Sequence, residues 1–178
     1  MAIQINGAGT ITGLDADGIS AQPVFPGQVL QVVSTTKTDT FTTTSSSFVD
    51  ITGLAVSITP TSATSKILVM AQVVGGNTST GGGCATRLLR NSTAIAIGDS
   101  AGARARTSTA SVFDENSGVI QQVAVTFLDS PNTTSAVTYK MQTQAFTGTT
   151  AINRSVDDND SAGRSRAVSS ITLMEIAG

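Results

Sequence analysis

The chain has 178 residues with a formal net charge of −2, 12% charged residues, no histidine and a single cysteine. So few titratable groups argue against an enzyme, and the near-zero charge gives no electrostatic reason to bind nucleic acid or an anionic membrane. Serine and threonine supply 49 residues, while aromatic residues make up only 4%. A core must therefore come from Val, Ile, Leu and Ala, which suits β-strands, and we expect one structural or recognition domain without a cofactor.

Residues 1–25 differ from the rest of the chain. Four glycines punctuate this segment, and its apolar residues are single and widely spaced, so it cannot bury a core of its own. We expect an extended N-terminal arm over residues 1–25, which docks on another molecule, and a head over residues 26–178; a disordered leader is the alternative. The candidate anchoring residues of the arm are Ile3, Ile5, Ile11, Leu14 and Ile19.

After Pro26 the chain alternates between apolar and polar residues with a period of two, which is typical of strands with one buried face. No segment has a convincing helical period. We predict about eight to ten antiparallel strands, at spacings typical of sandwiches and barrels. The candidate core residues on their inward faces are Leu54, Val56, Ile58, Val123, Val125, Phe127, Val137, Tyr139 and Met141.

Two further segments, residues 66–74 (KILVMAQVV) and residues 171–176 (ITLMEI), are apolar on both faces. A strand of a two-layer sandwich needs only one apolar face, so the second face must meet something else. We expect a neighbouring subunit to cover it, and the chain's own loops are the alternative. The candidate interface residues are Leu68, Met70, Val74, Met174 and Ile176.

The sequence offers weak candidates for other sites. Asp157–Asp160 is the densest acidic cluster and has oxygen ligands that calcium prefers, but its spacing is irregular and a solvated loop is our expectation. Arginines outnumber lysines, and several lie in or beside loops, which suits partner contacts or ordinary surface charge. Cys84 follows a glycine run and is expected to pack as a small apolar residue. No pair of catalytic groups and no metal site is nominated.

The chain begins with MAIQINGAGT, which lacks the basic start and apolar stretch of a secretion signal. No window approaches the roughly 18 apolar residues of a membrane span. We therefore expect a soluble protein that is made in a cytoplasm.

Several stretches of strand text together resemble a recurring module of tailed-bacteriophage virion proteins, over residues 26–176. They are PGQVLQVV, SFVDITGLAVSITPTSATSKILVMAQV, QQVAVTFLDSP, AVTYKMQ and SSITLMEI. The resemblance implies an all-β head, a jelly-roll β-sandwich similar to tumour necrosis factor, which assembles as a homotrimer. Such modules occur at the tips of tail fibres and spikes, and as decoration (cement) proteins on the outside of capsids.

The absence of a shaft distinguishes these two roles. A fibre needs a coiled coil, a repeat array or a long prism, whereas this chain has only an arm that reaches at most about 80–90 Å when extended. We expect a non-enzymatic homotrimeric decoration protein on the outer capsid surface of a virion, with its arm on the major capsid protein and its loops outward. The loops make host glycan a further candidate partner. The alternatives are the receptor-binding tip of a tail fibre or tailspike and, from another class, a small hydrolase.

Overall fold

The computed structural model describes residues 24–78, 83–111 and 118–178, with residues 110 and 111 described by their backbone, together with the backbone of residues 4–5 and 11–12. The described residues contain thirteen strands and no helix, hence no helix long and apolar enough to span a bilayer. The strands are β1 (Gln4–Ile5), β2 (Ile11–Thr12), β3 (Val29–Lys37), β4 (Phe41–Thr43), β5 (Val49–Ile58), β6 (Lys66–Asn77), β7 (Cys84–Arg90), β8 (Thr93–Ile95), β9 (Thr109–Ser111), β10 (Gln121–Asp129), β11 (Val137–Ala145), β12 (Thr150–Ile152) and β13 (Ser169–Ile176).

The strands β3 to β13 form two antiparallel sheets. The first sheet has the order β3–β13–β6–β10, and the second has the order β5–β11–β7 with β8 and β9 beyond β7. β12 and β4 prolong the positions of β13 and β3, because β12 pairs with the end of β6 and β4 pairs with β12. β8 and β9 likewise share one position beside β7.

The two sheets together therefore have eight strand positions, four in each. Numbered by position, the first sheet has the order 1-8-3-6 and the second has the order 2-7-4-5. This is the strand order of a jelly roll, in which every connection between successive positions crosses from one sheet to the other except that from position 4 to position 5. The predicted fold class, an all-β jelly-roll sandwich of eight to ten antiparallel strands, is confirmed.

The core lies between the two sheets, on the faces that the alternation predicts. Every second residue of β6 from Ile67 to Val73 is buried against the second sheet. Six of the predicted core residues are buried, and the other three are half-buried and pack against the same cluster because they lie on the edge strands β5 and β10. The buried ones are Leu54, Ile58, Val125, Val137, Tyr139 and Met141, and the half-buried ones are Val56, Val123 and Phe127.

A bulge at Gly53 interrupts the alternation of β5. Ile51 and Leu54 both point into the core although they are three residues apart. The register with β11 shifts at the same place, where Lys140 pairs with Ala55 but Gln142 pairs with Asp50. Gly53 has a φ of +80°, which residues with a Cβ rarely adopt. The bulge therefore needs this glycine to keep both apolar side chains inward.

Asn153 is a buried polar residue that holds the long connection between β12 and β13 in place. Its side-chain amide donates hydrogen bonds to the backbone oxygens of Lys37 (2.8 Å) and Asp39 (3.0 Å). Its side-chain oxygen accepts a hydrogen bond from the Ser169 hydroxyl at 2.6 Å. Because all these groups are satisfied, burial of the side chain costs little. These bonds fix the position at which the connection 153–168 leaves the first sheet.

Truncation of an inward side chain should lower the stability of the fold far more than substitution of an outward one. Leu54→Ala removes a fully buried side chain and should lower the free energy of unfolding by about 2–5 kcal/mol. Ala55→Ser, the neighbouring outward position, should change it by less than about 0.5 kcal/mol. Urea denaturation of both variants at one protein concentration measures the difference. Equal effects of the two substitutions would contradict the assigned orientation of β5.

Candidate functional site

The outer face of the first sheet, the face turned away from the core, has an apolar side chain on every one of its four strands at the same level. The register pairs Met174 of β13 with Val32 of β3 on one side and with Leu68 of β6 on the other. Leu68 in turn pairs with Leu128 of β10. These four residues, the apolar row, therefore cross the whole sheet at right angles to its strands. Val32 and Leu128 keep 53% and 48% of their surface exposed.

The rest of this outer face is almost free of charge. Among the described outward side chains of β3, β6, β10 and β13, only Lys66 at the start of β6 is charged. The others are Ser, Thr, Gln, Ala or aliphatic residues and Met. Beside the row, Met70 borders a depression of about 230 Å³ that Thr126 and Thr172 also line. Depletion of charge around an apolar centre is typical of the buried part of a protein interface.

The structure places all five predicted interface residues on this outer face, half-buried in the single chain. Leu68 and Met174 belong to the apolar row. Met70 and Ile176 flank the row along their strands, and Val74 lies further along β6, where it pairs with Gln122. The face is thus continuous from the start of β6 to Val74. Its extent supports the interface hypothesis without testing it, since a single chain shows no partner.

Sequence reasoning missed the two outer members of the apolar row. Leu128 follows Phe127, so the alternation that turned Phe127 inward already turned Leu128 outward. Val32 is outward in the same way, between Gln31 and Val33. What the sequence lacked was the register between strands that are distant along the chain, and only this register brings the four residues into one row.

The outer face of the second sheet has a different character. The Asp50 carboxylate accepts hydrogen bonds from Lys140 at 2.7 Å and from Gln142 at 2.6 Å. The bond from Lys140 is the main reason why the pKa of Asp50 lies below its ordinary value. Arg87 donates to Gln142 at 2.8 Å and stacks on the Phe48 ring at 4.0 Å from its centre. The polar groups of this face are thus matched within the chain.

The root of the arm and the connection 153–168 lie at opposite ends of the sandwich. Residues 24–28 lead into the start of β3, where the backbone of Gly27 donates to Ala177 and Ala177 donates to Gln28, both at 2.8 Å. Residues 153–168 leave from the other end of β6, where β12 pairs with Gly75 to Asn77. Val24 and Phe25 at the root are 59% and 64% exposed. The two segments are therefore separated by the length of the sandwich.

The side chains of the candidate anchoring residues lie outside the described part of the structure. These residues are Ile3, Ile5, Ile11, Leu14 and Ile19. The described backbone shows only that β1 and β2 pair antiparallel, with Ile5 opposite Ile11. The anchoring role of the arm stays a prediction.

Two aspartates of the acidic loop form ion pairs with arginines of the same connection, residues 153–168. Asp157 forms a bidentate contact with Arg164, whose Nε and Nη2 both lie 2.7 Å from Oδ2. Asp158 pairs with Arg166 at 2.7 Å and more loosely with Arg154 at 3.7 Å. No group of three or more potential metal-binding side chains lies together in the part of the chain that the structure describes. These contacts favour the solvated-loop interpretation over a calcium site.

Cys84, which the sequence singled out, and Asp129, which it did not, are both buried and have structural roles. Cys84 is 1% exposed, and burial raises the pKa of its thiol to about 12, so it is present as a packed, protonated side chain. Asp129 is buried and accepts hydrogen bonds from Arg90 at 2.9 Å and from the Tyr139 hydroxyl at 2.6 Å. Because β10 and β11 belong to different sheets, this group of three ties the two sheets together at the arm end.

Comparison with known proteins adds little beyond the fold. No protein-family model and no characterised protein sequence matches the chain. Solved structures that share part of the arrangement include the Gx strain of infectious bursal disease virus, with 11% identity over 93% of this chain and a TM-score of 0.42. Particles derived from that virus give 11% identity, 99% coverage and a TM-score of 0.43, and a subviral particle gives 12%, 99% and 0.42. This chain spans only 40% to 42% of those chains, and so remote a likeness supports no inference about function or partners.

Calcium should leave the stability of the protein unchanged, because arginines already neutralise Asp157 and Asp158. A site with a Kd of about 0.1 mM would add about 2.7 kcal/mol at 10 mM calcium, which raises the Tm of a chain this size by roughly 5–10 °C. We expect a shift below about 1 °C in thermal melting with calcium, equal to that with magnesium. A calcium-specific rise of several degrees that Asp157→Asn abolishes would contradict this assignment.

Proposed function

We propose that this chain is a non-enzymatic structural protein of a tailed-bacteriophage virion, a homotrimeric decoration (cement) protein that stabilises the outer surface of the capsid. Its head, residues 26–178, associates through the outer face of the first sheet, and its arm, residues 1–25, contacts the major capsid protein. The sequence resemblance supplies the virion role and the three-fold symmetry. The structure supplies the surface that makes association physically reasonable.

The single observation that carries the proposal is the apolar row on an outer face with one charged residue. Val32 and Leu128 are about half exposed in the single chain. Removal of apolar surface from water stabilises an association by about 25 cal/mol per Å² buried. Four strands at about 4.8 Å spacing and nine residues at about 3.3 Å give a face of roughly 570 Å². A standard interface buries about 800 Å² per partner, so this face with the apolar arm root is of the right size.

The positions of the arm and the loops suit a cap better than a shaft. The arm root and the connection 153–168 lie at opposite ends of the sandwich, so an arm held by the capsid leaves that connection facing outward. The same outward loops favour the runner-up function, a receptor-binding tip of a tail fibre or tailspike that recognises a host glycan. The two functions differ in where the protein sits on the virion.

Charge placed in the apolar row should prevent association without unfolding the head. The chain has a mass of 18.0 kDa, so a homotrimer (3 × 18.0) has a mass of about 54 kDa by light scattering. Because Val32 and Leu128 are half exposed, Val32→Glu with Leu128→Glu should leave the circular dichroism spectrum unchanged and give a mass of one chain. The matched control places glutamates on the exposed outer face of the second sheet, at Ala55 and Ser57, and should remain trimeric. A one-chain mass for the unchanged protein, or a trimer in the Val32 and Leu128 variant, would contradict the proposed interface.

Removal of the arm should separate anchoring from folding. Deletion of residues 1–25 should leave the melting curve of the head close to that of the full chain, because the two buried networks at the arm end involve residues from Gln31 onward. We expect the truncated head to occupy far fewer sites on capsids than the full chain. Electron microscopy of labelled particles measures both occupancy and location. Full occupancy by the truncated head would exclude the arm as the anchor, and label confined to the tail would favour the runner-up.

A further inference from the structure

Glu175 is a charged residue that the proposed function does not use. It lies on the inward side of β13 near the arm end and is fully buried. Its Oε1 accepts hydrogen bonds from the backbone amide and the hydroxyl of Thr61, both at 2.7 Å. Its Oε2 accepts one from the Gln31 side-chain amide at 2.6 Å. Every one of these partners is a donor.

The orientation of Gln31 is fixed by a second bond. The same amide nitrogen donates to the backbone oxygen of Thr59 at 2.7 Å. If the amide were flipped, its oxygen would face two acceptors, so Gln31 must present its NH₂ group to Glu175. A shell made only of donors fits a carboxylate anion, because an ionised acceptor forms hydrogen bonds about twice as strong as a neutral one.

No cation balances this carboxylate among the described residues. The loop between β5 and β6, residues 59–65, has no titratable side chain. Lys66 stands on the outer face of β6, and Lys37 lies at the far end of β3, paired with Asp39 at 2.8 Å. Arg90, at the end of β7, pairs instead with Asp129, which also accepts the Tyr139 hydroxyl. The anion of Glu175 is therefore held by hydrogen bonds alone.

The three hydrogen bonds tie the loop 59–65 to β13 and add to the backbone ladder that already pairs Glu175 with Gln31. Gln31 is on β3, five residues after Pro26 at the root of the arm, and Thr61 is in the loop 59–65. A cavity of about 440 Å³ lies beside this junction, lined by Val24, Leu30, Thr61 and Ala177 among others. The junction thus closes the end of the sandwich from which the arm departs.

We propose that Glu175 is a proton-controlled latch, which in its ionised form holds Thr61 and the loop 59–65 against β3 and β13 at the end of the sandwich and which releases that loop when it is protonated. The proposal concerns the head alone and stands whether or not the protein is a capsid decoration protein. Its consequence is a loop 59–65, beside the root of the arm, that is fixed at neutral pH and loosened in acid.

The direction of the pH effect follows from the balance of two causes. Burial pushes the pKa of Glu175 upward, but the hydrogen-bond donors of Gln31, Ser65 and Thr61 together outweigh burial, so the pKa lies below its ordinary value of 4.5. A folded-state pKa below the unfolded value stabilises the fold above the unfolded value. That stabilisation is lost as the pH falls through the folded pKa. The latch is therefore closed at pH 7 and opens in acid, below pH 4.5.

The test is a pH titration of the full chain followed by NMR, at the Thr61 amide and the Gln31 side-chain amide. We expect both signals to titrate together with a midpoint below 4.5, and the hydrogen-exchange protection of the Thr61 amide to fall with them. Glu175→Gln should abolish this step. Thr61→Val keeps the backbone donor but removes the hydroxyl donor, and should raise the midpoint by roughly one pH unit.

Three results would overturn the proposal. A step that persists in Glu175→Gln would assign the titration to another carboxyl group. A midpoint at or above 4.5 in the unchanged chain would show that the shell does not favour the anion. An unchanged midpoint in Thr61→Val, a near-isosteric variant that should fold even if Glu175→Gln does not, would show that the hydroxyl bond does not control the proton. None of these results bears on oligomeric state or location, which test the proposed function.

Discussion

The antiparallel register of β6 with its two neighbours is the constraint on which the rest of the structure depends. β6 is the longest strand and pairs with β10 on one side and with β13 on the other. Its inward residues from Ile67 to Val73 supply the centre of the core. The same register places Leu68 between Met174 and Leu128 on the outer face. A shift by one residue would exchange the two faces, so the core and the candidate interface are specified together.

The two outer faces of the sandwich differ in how far their polar groups are satisfied within the chain. On the second sheet, Asp50, Lys140 and Gln142 satisfy one another. A partner on that face would have to replace bonds that already exist, whereas a partner on the apolar row displaces only water. The proposed preference for the first sheet thus needs no special recognition group. It rests on the second sheet having Asp50, Lys140 and Gln142 matched internally.

Much of the fold could be predicted from the sequence because alternation is a local property. The inward positions of Leu54, Val125 and Tyr139, and the two apolar faces of β6, follow from a period of two along one strand. The bulge at Gly53 was not predictable, since a glycine in a strand is compatible with a plain strand as well as with a bulge. The course of the connection 153–168 between β12 and β13 depends on Asn153, whose backbone partners Lys37 and Asp39 lie on a distant segment.

The candidate sites were predictable only in part, for the same reason. Leu68 and Met174 were found because each lies in a segment that is apolar on both sides. Val32 and Leu128 were not recognised as interface candidates, because the apolar row forms only when the register aligns four strands that are distant along the chain. Glu175 could not have been recognised at all, because its donors Gln31 and Thr61 are 144 and 114 residues away along the chain. Contacts that join distant strands are set by topology, which composition and periodicity do not contain.

Methionine oxidation tests the central claim, that the outer face of the first sheet is covered by other copies of the chain. Met70 and Met174 lie on that face, while Met141 is buried in the core and serves as an internal reference. Peroxide converts an accessible methionine to its sulfoxide, and mass spectrometry follows each site. The account predicts that Met70 and Met174 become as slow to oxidise as Met141 when the protein concentration rises, and faster on dilution. Rates at Met70 and Met174 that are high and independent of concentration would contradict it.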